Sequence, residues 1–213
     1  MTPTALKSFT YTHPSGKKYA VEFHEDMDHY SPLEDEGHGQ VICMPVNFDP
    51  SDKEHVQEYV EERFVEDSQL EELARYSMLR ELRPGGRFDD ALFYDVWETR
   101  KIALSEGWGP GPEWDKANPN ATPHERAAAA VETDYKYLRG YFDSEWHYVV
   151  LYVYALDEDG EKIETPHYAC GGYESTIMDD ETWLSEVVDD AILQIEYERK
   201  SIENPGQMSL RFT

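Results

Sequence analysis

Positive charge is the scarcest thing in this sequence. Nineteen Lys and Arg stand against forty-five Asp and Glu in 213 residues, a formal net charge of −26. A surface that negative is repelled by DNA, RNA and anionic lipid, so direct nucleic-acid binding is not expected. Long hydrophobic runs are missing too: the longest, Tyr148 to Leu156, is far short of a membrane span. No charged-then-apolar leader opens the chain, which points to a cytoplasmic protein. Only two cysteines are present, Cys43 and Cys170, without a C-x-x-C, so neither a disulfide scaffold nor a zinc knuckle is expected. A P-loop, a G-x-G-x-x-G fingerprint and a G-x-S-x-G elbow are all missing. No cofactor is implied. What is there is a 13 % aromatic share and 39 % apolar residues, enough to bury a core.

The negative charge is uneven. Residues 1–72 hold five basic and seventeen acidic residues, 73–140 ten and eleven, and 141–213 four and seventeen. Two stretches, 19–52 and 163–198, contain no Lys or Arg. Salt adaptation would deplete Lys and spread the acid throughout, and a solvated face is the ordinary fate of a charge run. The alternative is that the acid-rich ends form a working surface.

Periodicity places the elements. Phe9 and Tyr11, then Tyr19, Val21 and Phe23, alternate about His13-Pro14-Ser15-Gly16 and read as a hairpin. Val41 to Val46 reads as a third strand. Val56, Tyr59, Val60 and Phe64 recur at helical spacing, a second helix is expected over about Ser68–Leu82, and a third over Asp89–Glu106. Thr122-Pro123-His124-Glu125 carries an N-cap, a first-turn proline and an acid at N3, opening a helix to Tyr141. Trp146 to Ala155 and Lys162 to Cys170 read as strands joined by Asp157-Glu158-Asp159-Gly160. A last helix covers about Asp179–Lys200. The expectation is α+β: one antiparallel sheet of about five strands with about five helices on one face. Residues 1–203 would form a single acidic domain and 204–213 a flexible tail.

Several stretches together resemble a family of uncharacterised bacteriophage and prophage proteins. They are Pro32-Leu33-Glu34-Asp35-Glu36-Gly37-His38-Gly39, Phe93-Tyr94-Asp95-Val96-Trp97, Ala103-Leu104-Ser105-Glu106-Gly107-Trp108-Gly109, Tyr137-Leu138-Arg139-Gly140-Tyr141 and Glu145-Trp146-His147-Tyr148-Val149. The resemblance implies a phage setting, in a host bacterial cytoplasm, and no particular activity. Small acidic phage proteins often oppose host defences, so an anti-restriction or anti-CRISPR role follows by analogy.

Three residue sets carry candidate chemistry. The first is acidic. Glu54, Glu58, Glu61, Glu62, Glu66, Asp67, Glu71 and Glu72 fall in a stretch that would be about 28 Å long as helix, one carboxylate per about 3.5 Å. One DNA strand carries a phosphate per about 3.4 Å, so such a row could occupy a groove built for DNA. Asp179, Asp180, Glu186, Asp189 and Asp190 offer a second row. The second set is Gln207, Met208, Leu210 and Phe212, which resembles the peptide by which bacterial replication and repair proteins dock on the sliding clamp, with Arg211 inserted. The third is His24, Asp26 and Asp28, which on an extended strand share one face and could hold a divalent metal. The expected partner is a host DNA-binding or defence protein, with the clamp as a second. The rival readings are a metal-dependent enzyme and a clamp-recruited replication accessory protein.

Overall fold

A computed structural model describes residues 4–28, 31–34, 37–86 and 89–203, without the side chain of Glu34. The chain is α+β, with seven strands and six α-helices among the described residues. Its strands lie in two antiparallel sheets, of four and three strands, rather than in one. Two compact units contain them: Met1–His29 with Trp146–Thr213, and Tyr30–Glu145. No helix among the described residues is long and apolar enough to cross a membrane.

The first unit is built on strands β1 (Lys7–Thr12), β2 (Lys18–Glu25), β6 (Tyr148–Leu156) and β7 (Lys162–Glu174), in the order β1-β2-β6-β7. Strict alternation turns Tyr19, Val21 and Phe23 of β2 and Val149, Leu151, Val153 and Ala155 of β6 to one face. Val21 faces Val153 and Phe23 faces Leu151 across the pair. One helix, α6 (Glu181–Glu203), covers that face with Val188, Ala191, Ile192 and Ile195, at the three- and four-residue spacing of one stripe. The expected turns form where Gly16 and Gly160 supply positive φ, +87° and +84°. Strand β7 runs four residues beyond the expected Cys170, through two register shifts against β6.

The second unit sandwiches its sheet. Strands β3 (Val41–Met44), β4 (Leu79–Arg83) and β5 (Ala91–Asp95) pair in the order β3-β5-β4. Helices α1 (Lys53–Arg63) and α2 (Glu66–Tyr76) contribute Val56, Val60 and Tyr76 to a core with Met44, Ala91 and Phe93. Leu82 and Tyr94 enter a separate core with Ala103 of α3 (Val96–Glu106) and Ala127, Val131 and Leu138 of α5 (Pro123–Phe142). A short helix, α4 (Pro112–Ala117), lies between them in sequence. Because β5 is covered on both faces, Leu92, Phe93 and Tyr94 show no alternation. That is why Asp89–Glu106 reads as one helix, whereas α3 starts only at Val96, capped by the Asp95 carboxylate accepting from the Glu98 N–H at 3.0 Å. Likewise Ser68–Leu82 divides into α2 and β4. Leu79 and Leu82 mimic helical spacing but point to opposite faces of a strand, into the two different cores. The capping box of α5 forms as expected: Thr122 Oγ1 accepts from Glu125 N–H at 3.3 Å, and Glu125 Oε2 from Thr122 N–H at 2.8 Å.

Candidate functional site

Asp52 starts α1 by accepting from the Glu54 and His55 N–H groups at 3.0 and 3.2 Å. With Val56 and Val60 turned inward, Glu54, Gln57, Glu58, Glu61 and Glu62 line one open outer face. Their three- and four-residue spacing sets neighbouring Cβ atoms about 5–6 Å apart. Glu61 is steadied by the Gln57 amide at 2.7 Å and Glu62 by Arg63 at 2.9 Å. Glu54 and Glu58 make no ion pair among the described residues.

The row does not continue as one rod. Phe64 and Val65 are both extended, with ψ of 147° and 150°, so the chain breaks between α1 and α2. The expected 28 Å helix is replaced by an eleven-residue α1, about 16 Å long, and a separate α2. The cause is the Phe64 side chain, which turns into the core beside Tyr76, their rings 5.8 Å apart. Glu66 and Asp67 lie exposed in the first turn of α2, where acids favour the helix dipole. Glu71 pairs with Lys101 at 3.1 Å, and Glu72 is withdrawn, 19 % exposed beside Arg75.

In the second acidic set the carboxylates divide between structure and surface. Asp180 accepts from the Thr182 and Trp183 N–H groups at 3.0 and 2.9 Å and so opens α6. Asp189 accepts from the Tyr11 hydroxyl at 2.7 Å, and this bond raises the Tyr11 pKa. Asp179, Glu186 and Asp190 are exposed, the last two one turn apart on α6.

His24, Asp26 and Asp28 do not converge. Strand β2 ends at Glu25, so the shared strand face on which a metal set depends is lost. Asp26 instead accepts from the Gly172 N–H at 2.9 Å and the Asp28 N–H at 3.2 Å. Gly171 permits this approach, since a Cβ there would lie 2.3 Å from Asp26 Oδ2. His24 lies 3.5 Å from Glu22 and edge-on to Tyr152. Among the described residues no three His, Cys, Asp or Glu side chains are grouped for a metal ion. Gln207, Met208, Leu210 and Phe212 lie outside the described residues.

The sequence reading missed the polar network inside the second unit. Asp134 on α5 accepts from His38 Nδ1 at 2.8 Å through one oxygen, and from the Gly39 N–H and the Tyr94 hydroxyl, both at 2.7 Å, through the other. A carboxylate only accepts, so His38 carries its proton on Nδ1. Burial, then Asp134, pushes the Tyr94 phenol far above its usual range. Gly39 is required, because a Cβ there would come within 2.5 Å of Tyr94 and Thr99. Beside this, the wholly buried Asp95 takes the Arg75 Nε–H at 2.7 Å. These partners lie 20 to 96 residues apart in sequence, and no local spacing announces them.

Comparison with protein-family models, with curated proteins and with solved structures finds no match.

Proposed function

We propose that this chain is a non-catalytic inhibitor that binds a cationic groove of a host DNA-processing or defence protein through the outer face of α1. The setting we assign to it is a phage-infected bacterial cytoplasm. The observation that carries the reading is the exposed series Glu54, Glu58, Glu61 and Glu62, facing outward on a helix anchored by Val56 and Val60. A side-chain row on a packed helix keeps its spacing, and a groove evolved for phosphates accepts such a row with the same steering and counterion release. Eleven residues of helix span about 16 Å, about the length of five phosphates on one strand. The mimicry is therefore of a short stretch of one strand. Glu66, Asp67 and Glu71 extend it at an angle set by the break at Phe64–Val65, and the exposed acids of α6 are a second contact area. A terminal peptide bearing Gln207, Met208, Leu210 and Phe212 serves as a tether to the sliding clamp in this scheme.

Displacement of fluorescent duplex DNA from a panel of bacterial restriction and nucleoid proteins tests the first claim. The wild-type chain displaces DNA from its target, with affinity falling steeply as salt rises. Glu54→Gln/Glu58→Gln/Glu61→Gln weakens displacement about tenfold or more. Equal displacement by the triple variant, or affinity flat with salt, overturns mimicry. For the tether, immobilised sliding clamp retains the wild type and loses Gln207→Ala/Phe212→Ala; equal retention rejects docking.

A further inference from the structure

In the second unit, away from the α1 face, α3 presents Trp97, Arg100, Lys101 and Leu104 at the spacing of a single stripe. With Met78, in the turn between α2 and β4, and His124, in the first turn of α5, they line a groove of about 300 Å³. Met78, Leu104 and the Trp97 ring make the apolar walls, and Arg100, Lys101 and His124 the basic ones. No carboxylate lines it, although this unit's sequence holds twenty-six acids against twelve Lys and Arg. Lys101 is already committed: its Nζ lies 3.1 Å from Glu71 and 3.0 Å from Glu98, which together hold it firmly protonated. It also sits 5.4 Å from the centre of the Trp97 ring. Arg100 is exposed and makes no ion pair among the described residues. The Trp97 indole N–H is buried with no acceptor among the described residues.

We infer that this groove binds a small aromatic carboxylate, its flat body against Trp97, Met78 and Leu104 and its charge on Arg100. The class follows from the lining. An apolar cleft of this size, at the small end of ligand pockets, takes one compact ring system rather than a nucleotide. One cation without a counter-ion matches one negative charge, and the planar guanidinium fork fits a carboxylate in two parallel hydrogen bonds. A dianionic phosphate would be opposed by the field of the surrounding acids more strongly than a monoanion.

Calorimetric titration of the full chain with naphthoate, and with neutral naphthylmethanol, tests this. Naphthoate saturates a single site and naphthylmethanol binds about tenfold or more weakly. Arg100→Gln, an exposed position whose loss costs no packing, weakens naphthoate about tenfold and leaves naphthylmethanol unchanged; Arg100→Lys recovers part of the loss. In the nitrogen–proton spectrum the Trp97 indole signal, assigned with Trp97→Phe, moves on naphthoate addition. The triple glutamine variant of α1 keeps wild-type naphthoate affinity, so this site and the acidic face fail or hold separately. No saturation at millimolar naphthoate, equal binding of the two probes, or unchanged affinity in Arg100→Gln overturns the assignment.

Discussion

Residues 1–29 with 146–213 hold nineteen acids and seven Lys and Arg, and residues 30–145 hold twenty-six and twelve, so the two units are almost equally negative. They place that charge differently. The first builds its central core cluster from Tyr, Phe, Val, Leu, Ala and Ile and keeps its described carboxylates at or near the surface. Several there are tethered at the margin: Glu196 holds Lys17 at 2.8 Å and the Tyr19 hydroxyl at 2.9 Å, and Glu22 holds Lys162 at 2.6 Å. The second draws Asp95 and Asp134 inside, where they fix a strand end and the 38–40 loop to helices. A buried carboxylate is tolerable only when its lone pairs are used, and each of these is filled from two or three elements. The comparison teaches that sign of charge says little about role. The α1 carboxylates stand out because they do neither job: among the described residues they support no neighbour except through Gln57 and Arg63.

Substitutions inside each core give the largest effects and break the comparison if they come out alike. Phe23→Ala, fully buried in the first unit, costs about 4 kcal/mol by cavity formation, read by denaturant unfolding. Hydrogen exchange then shows lost protection in β2 and β6. Asp134→Ala in the second unit costs about 3 kcal/mol, because His38, Gly39 and Tyr94 lose one acceptor together. Asp134→Asn retains one acceptor oxygen and recovers part of that loss. Protection falls in β5 and at Gly39. An Asp134→Ala variant as stable as wild type would show that the network is ornamental.

Titration separates the units more finely. Burial, then the bond to Glu196, pushes the Tyr19 phenol from 10.0 up to about 12. A folded-state pKa above the unfolded value favours the protonated fold, so this stability is complete below about pH 10 and is lost as pH rises toward 12. Tyr19→Phe costs about 1 kcal/mol at neutral pH and flattens that alkaline limb, followed by thermal unfolding against pH. On the acid side the signs reverse. Glu196 is lowered chiefly by the Lys17 hydrogen bond and Glu132 by Arg80, so their stabilisation stands above about pH 4.5 and is lost below it.

Legibility followed the same division. In the first unit one face of the sheet is covered by one helix, so the burial of Tyr19, Val21 and Phe23 is written as alternation and both hairpins can be read directly. In the second the sheet is covered twice. Leu92-Phe93-Tyr94 loses its period, and β4 and β5 read as helix. The acidic faces were legible as composition and spacing, while the break at Phe64–Val65 depends on where a phenyl ring finds its core. The Asp134 and Asp95 contacts, and the groove at Trp97, join residues far apart in sequence and leave no local trace. His24, Asp26 and Asp28 come apart for a local reason, because the strand that would align them stops at Glu25, one residue short of Asp26 and three short of Asp28.

The smallest expected effect bears most directly on function. Glu54 and Glu58, one turn apart on α1, repel each other and have no cation between them. Like charges at this spacing cost an isolated helix about 0.2–0.5 kcal/mol per pair. Glu58 also opposes Glu61 and Glu62, at the next three- and four-residue steps. Glu58→Gln therefore stabilises the fold by about 0.5 kcal/mol at low ionic strength, measured by urea unfolding, and the gain fades as salt screens the wild-type repulsion. A structural surface has no reason to keep such a cost, whereas a face presented to a cationic partner recovers it on binding. If Glu58→Gln destabilises the chain instead, the carboxylate supports α1 itself, and the α1 face joins Asp95 and Asp134 among the acids that hold this unit together.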